Sequence, residues 1–329
     1  MKFAAYRLFA DGDAIAGRVT EMSIDDLSPG DVVIRNAFSS VNYKDALAGL
    51  GRNKIIRDYP RIGGIDLFGT VTESRDDRFK SGDRVIVHGF GIGVDHDGGH
   101  AEYARVRGDW VMPLPEGLTL KDAAVIGVAG YTAALSIHLM ELNGLDPSRG
   151  PVVVNGATGG VASVAIDMLS TRGYAVTAIT GKQDEHDYLR RLGASEILDR
   201  LSIESSGKPL EKPLWAGAVD SLGGEALAWL TRTMRPDGTI AAFGNALGAE
   251  LHTTVLPFIL RGVRLIGVNA NSPMALREQI WRRIAGDLKP RHLGTIAHEI
   301  GLEQLPEAFR RLVDNRTRGR VVVAFRQTE

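Results

Sequence analysis

The sequence predicts an α/β protein in two domains, a parallel α/β sheet joined to an all-β or α+β module of short strands. Three observations predict it. At 329 residues the chain is longer than one ordinary core serves. Its first hundred or so residues carry short β-rich runs punctuated by Gly, Pro and Asp. From about residue 121 helices alternate with apolar strands, the pattern of a parallel sheet.

In the first part Val32-Val33-Ile34, Gly69-Thr70-Val71 and Arg84-Val85-Ile86-Val87 read as strands, because turn signals such as Pro29-Gly30-Asp31 and Ser81-Gly82-Asp83 flank them. In the second part Pro151-Val152-Val153-Val154 reads as a buried strand. Val161, Val164, Ala165, Met168 and Leu169 then recur at helical spacing, predicting a helix from Val161 to about Arg172 that ends at Gly173. Ala175–Ile179 completes a βαβ unit. Further strands are expected at Ala216–Asp220, Thr239–Phe243 and Arg264–Val268, and helices at Gln279–Leu288 and Leu305–Val313. The closing apolar run Arg320–Phe325 reads as a strand returning to the first domain.

Between the first strand and the first helix of the βαβ unit lies Gly156-x-x-Gly159-x-x-Ala162. Such a turn lets backbone amides approach a pyrophosphate, and the helix behind it turns its positive end to the same group. The strand–turn–helix–strand context makes this a dinucleotide site of the Rossmann kind. Sites selective for NAD usually end the second strand on Asp or Glu; here the chain reads Ile179-Thr180-Gly181-Lys182. A hydroxyl and an ammonium suit a 2′-phosphate, with Arg200 as a second cation, so NADPH is the expected cofactor.

Composition narrows the function. Lys plus Arg number 39 against 40 Asp plus Glu, so no bulk charge draws the chain to nucleic acid or an anionic membrane. There is no cysteine, which excludes disulfides and cysteine-ligated zinc. The N-terminal run is interrupted by charge too early for a signal peptide, and no uncharged apolar stretch is expected to reach the length of a membrane span. A soluble, cytoplasmic enzyme is the expectation. Asp95-His96-Asp97 with His100 has the residue types of a metal cluster, but it sits in the glycine-rich loop Gly89–Gly99, where histidines contacting substrate or backbone are the commoner case. His138 falls in a helical stretch and reads as structural.

Several segments, in order along the chain, resemble the medium-chain dehydrogenase/reductase superfamily and, within it, the quinone-oxidoreductase-like acrylyl-CoA reductase subgroup. They are Asn42-Tyr43-Lys44-Asp45-Ala46-Leu47-Ala48, Lys54-Ile55-Ile56-Arg57, Gly64-Ile65-Asp66, Gly108-Asp109-Trp110, Gly159-Gly160-Val161, Leu192-Gly193-Ala194-Ser195, Pro209-Leu210-Glu211-Lys212, Trp215–Asp220 and Pro257–Arg261. The resemblance implies a Rossmann doubly wound parallel sheet inserted in a GroES-like mostly-β catalytic domain. Its expected parts are residues 1–122, 123–262 and 263–329, the last rejoining the first. It implies NADPH-dependent reduction of acryloyl-CoA to propanoyl-CoA, and a homodimer. Zinc-dependent relatives carry Gly-His-Glu and a four-cysteine lobe; this chain has Ile65 in place of the histidine and no cysteine.

Carried over residue by residue, the subgroup's cofactor contacts fall on Tyr43, Thr158, Gly159, Gly160, Val161, Thr180, Gly181, Lys182, Arg200, Asn245, Ile259, Ala270 and Asn315. The second-strand position is more familiarly Ser-Gly-Arg, so Lys182 keeps the charge and loses a bidentate fork. Without zinc a carbonyl lacks a Lewis acid, which favours conjugate reduction over alcohol oxidation. Tyr43 is the candidate proton donor; a packing or cofactor-orienting tyrosine is the alternative. Arg52, Lys54, Arg57 and Arg61 form a basic cluster that either holds coenzyme A phosphates, Arg52 and Lys54 foremost, or is a solvated loop. The rival activities are a quinone or enone oxidoreductase and an NADPH-binding sensor.

Overall fold

A computed structural model describes residues 1–325 except 13 and 201–206. The chain packs into two units, one made of residues 1–128, 273–278 and 297–325, the other of residues 129–272 and 279–296.

The first unit is mostly β. A long antiparallel pair, β1 (Lys2–Asp11) and β2 (Ala14–Ser23), takes the short β4 (Arg61–Ile62) on its other side. A second sheet runs β15 (Ala297–Ile300), β16 (Arg320–Ala324), β3 (Val32–Val41), β5 (Asp66–Ser74), β6 (Arg84–His88) and β8 (Met112–Pro113), with β7 (Tyr103–Val106) also on β3. The expected C-terminal strand is therefore β16, which pairs antiparallel with β3 from Val41↔Val321 to Phe38↔Ala324. Helix α1 (Tyr43–Gly49) leaves β3 after one residue and packs on α9 (Leu305–Val313), Gly49 lying so close to the Phe309 ring that a Cβ would overlap it.

The second unit is a six-stranded parallel sheet in the order β11 (Glu196–Asp199), β10 (Val176–Thr180), β9 (Val152–Val154), β12 (Trp215–Asp220), β13 (Met234–Ala242), β14 (Arg264–Gly267). That is the doubly wound order 3-2-1-4-5-6, which reverses between β9 and β12. Its central strands β9, β10 and β12 are buried on both faces, hence their continuous apolar runs, while the edge strands β11 and β14 are part-exposed. Helices α2 (Leu120–Leu142), α3 (Gly160–Thr171), α4 (His186–Arg191), α5 (Gly224–Thr233), α6 (Leu256–Arg261), α7 (Met274–Ala285) and α8 (Leu293–Ile296) make up the rest; α2 and α7 each continue from one unit into the other.

Three expectations are corrected. β13 begins five residues before Thr239, because Met234 already pairs with Trp215 and the ladder resumes, shifted in register, at Thr239↔Gly217 beyond Pro236-Asp237-Gly238. The helix expected at Gln279–Leu288 runs from Met274 to Ala285; its first turn was hidden because Arg277 is a buried cation rather than an apolar residue. Residues 123–140 carry no Asp, Glu, Lys or Arg and form, in α2, a helix long and apolar enough to cross a membrane. That window has 89% of its residues buried inside the protein, so its apolar character belongs to the core. α2 also bends at Gly127, whose φ of 53° only glycine adopts freely.

Candidate active site

In the parallel unit the reversal of strand order opens the place where ligands of such sheets sit, outside the carboxyl ends of β9 and β12. β9 ends at Val154 and the chain turns at Gly156, with φ 57°. A Cβ there would stand 2.4 Å from the Ser221 hydroxyl, so glycine is required twice over. The turn is fixed from across the switch point. Asn155 donates to the buried Asp220 carboxylate and accepts from the Ser221 amide at 2.8 Å, while Asp220 also accepts from Gly223 N at 3.1 Å. Burial pushes the Asp220 pKa above its ordinary value, opposed by these donors.

Thr158 is buried beneath the turn; Gly159 is the N-cap of α3, and Gly160 and Val161 form its first turn, part-exposed. No side chain caps the helix, so its first amides are available to an anion. One strand over, the Thr180 hydroxyl accepts from Lys182 N at 3.0 Å. Because Thr180 pairs with Asp199 across β10 and β11, the next residues stand side by side. A Cβ on Gly181 would lie 3.6 Å from an Arg200 guanidinium nitrogen. Lys182 is half-buried, and burial pulls its pKa below the ordinary value while Glu185 pushes it back. Thr180, Gly181, Lys182 and Arg200 thus form one cationic corner, which fits a phosphate on the ribose.

Asn245 follows β13 and Ala270 follows β14, so both lie with the same carboxyl ends. Ile259 does not. It is on α6, whose Arg261 donates to the carbonyls of Arg232 and Met234 at the opposite end of β13, and it is exposed beside Val255, Leu256 and Leu260. Its cofactor role is carried over on the resemblance of the Pro257–Arg261 block, and within one chain it lies on a different element from the other expected contacts.

Tyr43, Arg52, Lys54 and Asn315 belong to the first unit. Tyr43 is the first residue of α1 and is 47% exposed. Beneath it lies a buried charged cluster that sequence reading missed. Asp66 accepts from Ser40 N at 2.8 Å, Ser40 Oγ at 2.6 Å, Asn42 Nδ2 at 3.1 Å and Val128 N at 3.2 Å. Arg320 donates to Ser40 Oγ at 2.6 Å, Asn42 Oδ1 at 3.3 Å, and the carbonyls of Val41 and Val125. Asp45 accepts from Asn42 N at 2.8 Å and Ile65 N at 3.0 Å; burial first, then the Asp66 charge, push its pKa to about 7. Every polar group of Asn42, the residue before Tyr43, is thereby engaged, since its carbonyl takes Ala46 N. The Asn42-x-x-Asp45 spacing of a capping box was the one available signal.

Of the basic cluster, Arg61 is consumed by Asp97 (3.5 Å) and Ser28 Oγ (3.1 Å). Arg52, Lys54 and Arg57 are exposed and pair with no acid among the described residues. Asn53 and Lys54 hold left-handed φ of 62° and 46°, turning this loop sharply after α1. Asn315, φ 57°, is exposed just past α9. The Asp95–His100 group does not converge. Asp97 serves Ser28, Ile62 and Arg61, His96 bonds the carbonyls of Pro29 and Asp97, and His100 is buried with Nε2 at 3.4 Å from Ser40 O. His138 receives Arg283 at 3.2 Å.

Two family models match: an alcohol dehydrogenase GroES-like domain over residues 28–116 and a zinc-binding dehydrogenase domain over residues 160–286. The chain is 47% identical to the putative quinone oxidoreductase YhfP of Bacillus subtilis, covering 98% of each chain. The crystal structure of that protein with NAD bound has a TM-score of 0.96. Acrylyl-CoA reductase AcuI of Ruegeria pomeroyi is 42% identical, over 96% of this chain and 98% of its own. The yhdH oxidoreductase of Salmonella enterica, crystallised in complex with NADP, is 43% identical with a TM-score of 0.95, covering 99% of this chain and all of its own.

Proposed function

The chain belongs to the medium-chain dehydrogenase/reductase superfamily, and we propose that within it the protein is an NADPH-dependent reductase of the carbon–carbon double bond of acryloyl-CoA or a similar short enoyl-CoA. The observation that carries the cofactor choice is the corner of Thr180, Gly181, Lys182 and Arg200, where two cations stand at a strand end that an NAD site would give to a carboxylate. The uncapped start of α3 and the Gly156 turn suit the pyrophosphate, and Asn245 and Ala270 lie with the same strand ends. Zinc does not fit: the chain has no cysteine, and Ile65 offers no ligand.

NADPH, when bound, supplies a hydride to the β-carbon of the enoyl thioester. The charge left on the thioester oxygen needs hydrogen-bond donors and the α-carbon needs a proton. Tyr43 offers the proton: its phenol is exposed, and the buried cluster below pins the helix that carries it. Arg52, Lys54 and Arg57 offer charge to the coenzyme A phosphates. A quinone or enone, the second reading, is favoured by the name of YhfP and would need no such cations.

We propose that the enzyme works in the cytoplasm, a compartment that a chain without cysteine permits. We also propose a homodimer in which exposed Val255, Leu256, Ile259 and Leu260 meet a second copy beside the edge strand β14; sedimentation at single-chain mass would refute it.

NADPH oxidation over short enoyl-CoAs and quinones tests the substrate. Acryloyl-CoA should be turned over, and Arg52→Glu with Lys54→Glu should raise its KM roughly tenfold or more while leaving quinones unaffected. An unchanged KM removes the cations from recognition. Tyr43→Phe should lower kcat by about 10²-fold at saturating NADPH; an unchanged kcat removes Tyr43 from the chemistry.

A further inference from the structure

Three adjacent strands of the first unit deliver residues to one end of their sheet. β3 ends at Val41, β5 begins at Asp66 and β6 ends at His88; Ser40 binds the Asp66 carboxylate and Asp66 pairs with His88 across the ladder. Tyr43 follows β3 by two residues, Ile65 immediately precedes β5, and Phe90 follows β6 by two residues. The origins of Tyr43 and Phe90 are therefore two strand spacings apart, roughly 10 Å, with Ile65 between them. Gly89 N donates to Ile65 O at 3.1 Å and ties the Phe90 loop to that middle position.

Phe90 is held in a conformation that a bulky side chain rarely adopts, φ 54°, between Gly89 at 77° and Gly91 at 83°. Glycine would sit there without cost, and the chain has glycine on both sides, yet it keeps a phenyl ring at 90. The ring is fixed as well as the backbone. The Arg277 guanidinium lies 4.2 Å from its centroid, and Arg277, buried, also donates to His88 Nδ1 at 2.8 Å and to the His88 carbonyl. The Trp110 ring lies 5.8 Å away at an interplanar angle of 1°. Strain of this kind survives where the surroundings over-determine it, and it collects at ligand-binding sites.

We propose that Phe90 is the specificity-determining residue for substrate size: its immobilised ring is the wall that limits the substituent on the carbon accepting hydride, with Ile65 as the apolar floor between it and Tyr43. A wall that cannot change rotamer excludes longer chains by overlap instead of yielding to them. This rests on the conjugate reduction proposed above, and it adds why the substrate should be short.

Phe90→Gly and Phe90→Leu test it. Glycine relieves the left-handed strain but gives up the ring contacts with Arg277 and Trp110, and Phe90→Leu keeps an apolar side chain there, so thermal melting of both variants accompanies the kinetics. The ratio of kcat/KM for 2-hexenoyl-CoA to that for acryloyl-CoA should rise at least roughly ten- to hundredfold in Phe90→Gly and less in Phe90→Leu, since the two differ by a propyl group and even a single methylene is worth about that much in an apolar pocket. KM for NADPH should stay the same. If thermal stability falls and all substrates lose rate equally, Phe90 is only packing for Arg277 and the proposal is overturned; an unchanged ratio in a stable variant overturns it too. Should the wild type reduce no enoyl-CoA, the enoyl-CoA reading falls. The same ratio, taken across enones and quinones with methyl to propyl substituents, then decides on Phe90 by itself.

Discussion

Arg320→Met is expected to cost roughly 3–5 kcal/mol of stability, the usual consequence of taking one partner from a buried ionic cluster. Arg320 is 3% exposed, Asp45 is 3% exposed and Asp66 is fully buried, and the Arg320 charge acts on both carboxylates. Met fills a similar volume but leaves two buried acids without their cation, and it removes the Arg320 donor from the carbonyls of Val41 and Val125. Denaturant unfolding checks the size of the loss; a change under about 1 kcal/mol would mean the cluster is wetter than its burial suggests. The double variant with Asp66→Asn should lose less than the sum of the two single losses, because the second change removes one of the stranded charges. Since the cluster anchors Asn42, Arg320→Met protein that does fold should also show reduced kcat.

Lys182→Glu should raise KM for NADPH by about 100-fold or more, since it sets a carboxylate beside a phosphate in a half-buried corner where like charges cost several kcal/mol. KM for NADH should move by less than about threefold, because NADH brings no 2′-phosphate to repel. Arg200 stands close enough to Gly181 to share the load, so Arg200→Ala should act in the same direction with a smaller effect. Steady-state kinetics with both cofactors checks this. A KM for NADPH within threefold of wild type would overturn the corner as the selectivity element and turn attention to NAD, the cofactor bound in the YhfP structure.

Local physics alone made the parallel sheet legible. The Val152–Val154 run, the helical spacing from Val161 to Leu169 and the Gly156 turn are short-range patterns, and each predicted its element to within a few residues. The missing cysteines likewise argued against cysteine-ligated zinc directly from the sequence, while Ile65 did so only through the family resemblance. The Arg277 turn of α7 was not legible, because a buried arginine looks like a surface residue until its partner His88 is known, 189 residues away.

By itself, then, the sequence determined the cofactor fold, since a strand, a glycine turn and a helix are all set within about twenty residues, and it offered Lys182 as a candidate for the 2′-phosphate. Tertiary structure alone decided the rest. It set Arg200 beside Gly181, spent Arg61 on Asp97, moved Ile259 to the far ends of the strands, and assembled Ser40, Asp66 and Arg320 from positions up to 280 residues apart. Helical and strand periodicity report which face of an element is apolar. They carry no record of which buried charge will meet which, because that depends on strand order and register across the whole sheet.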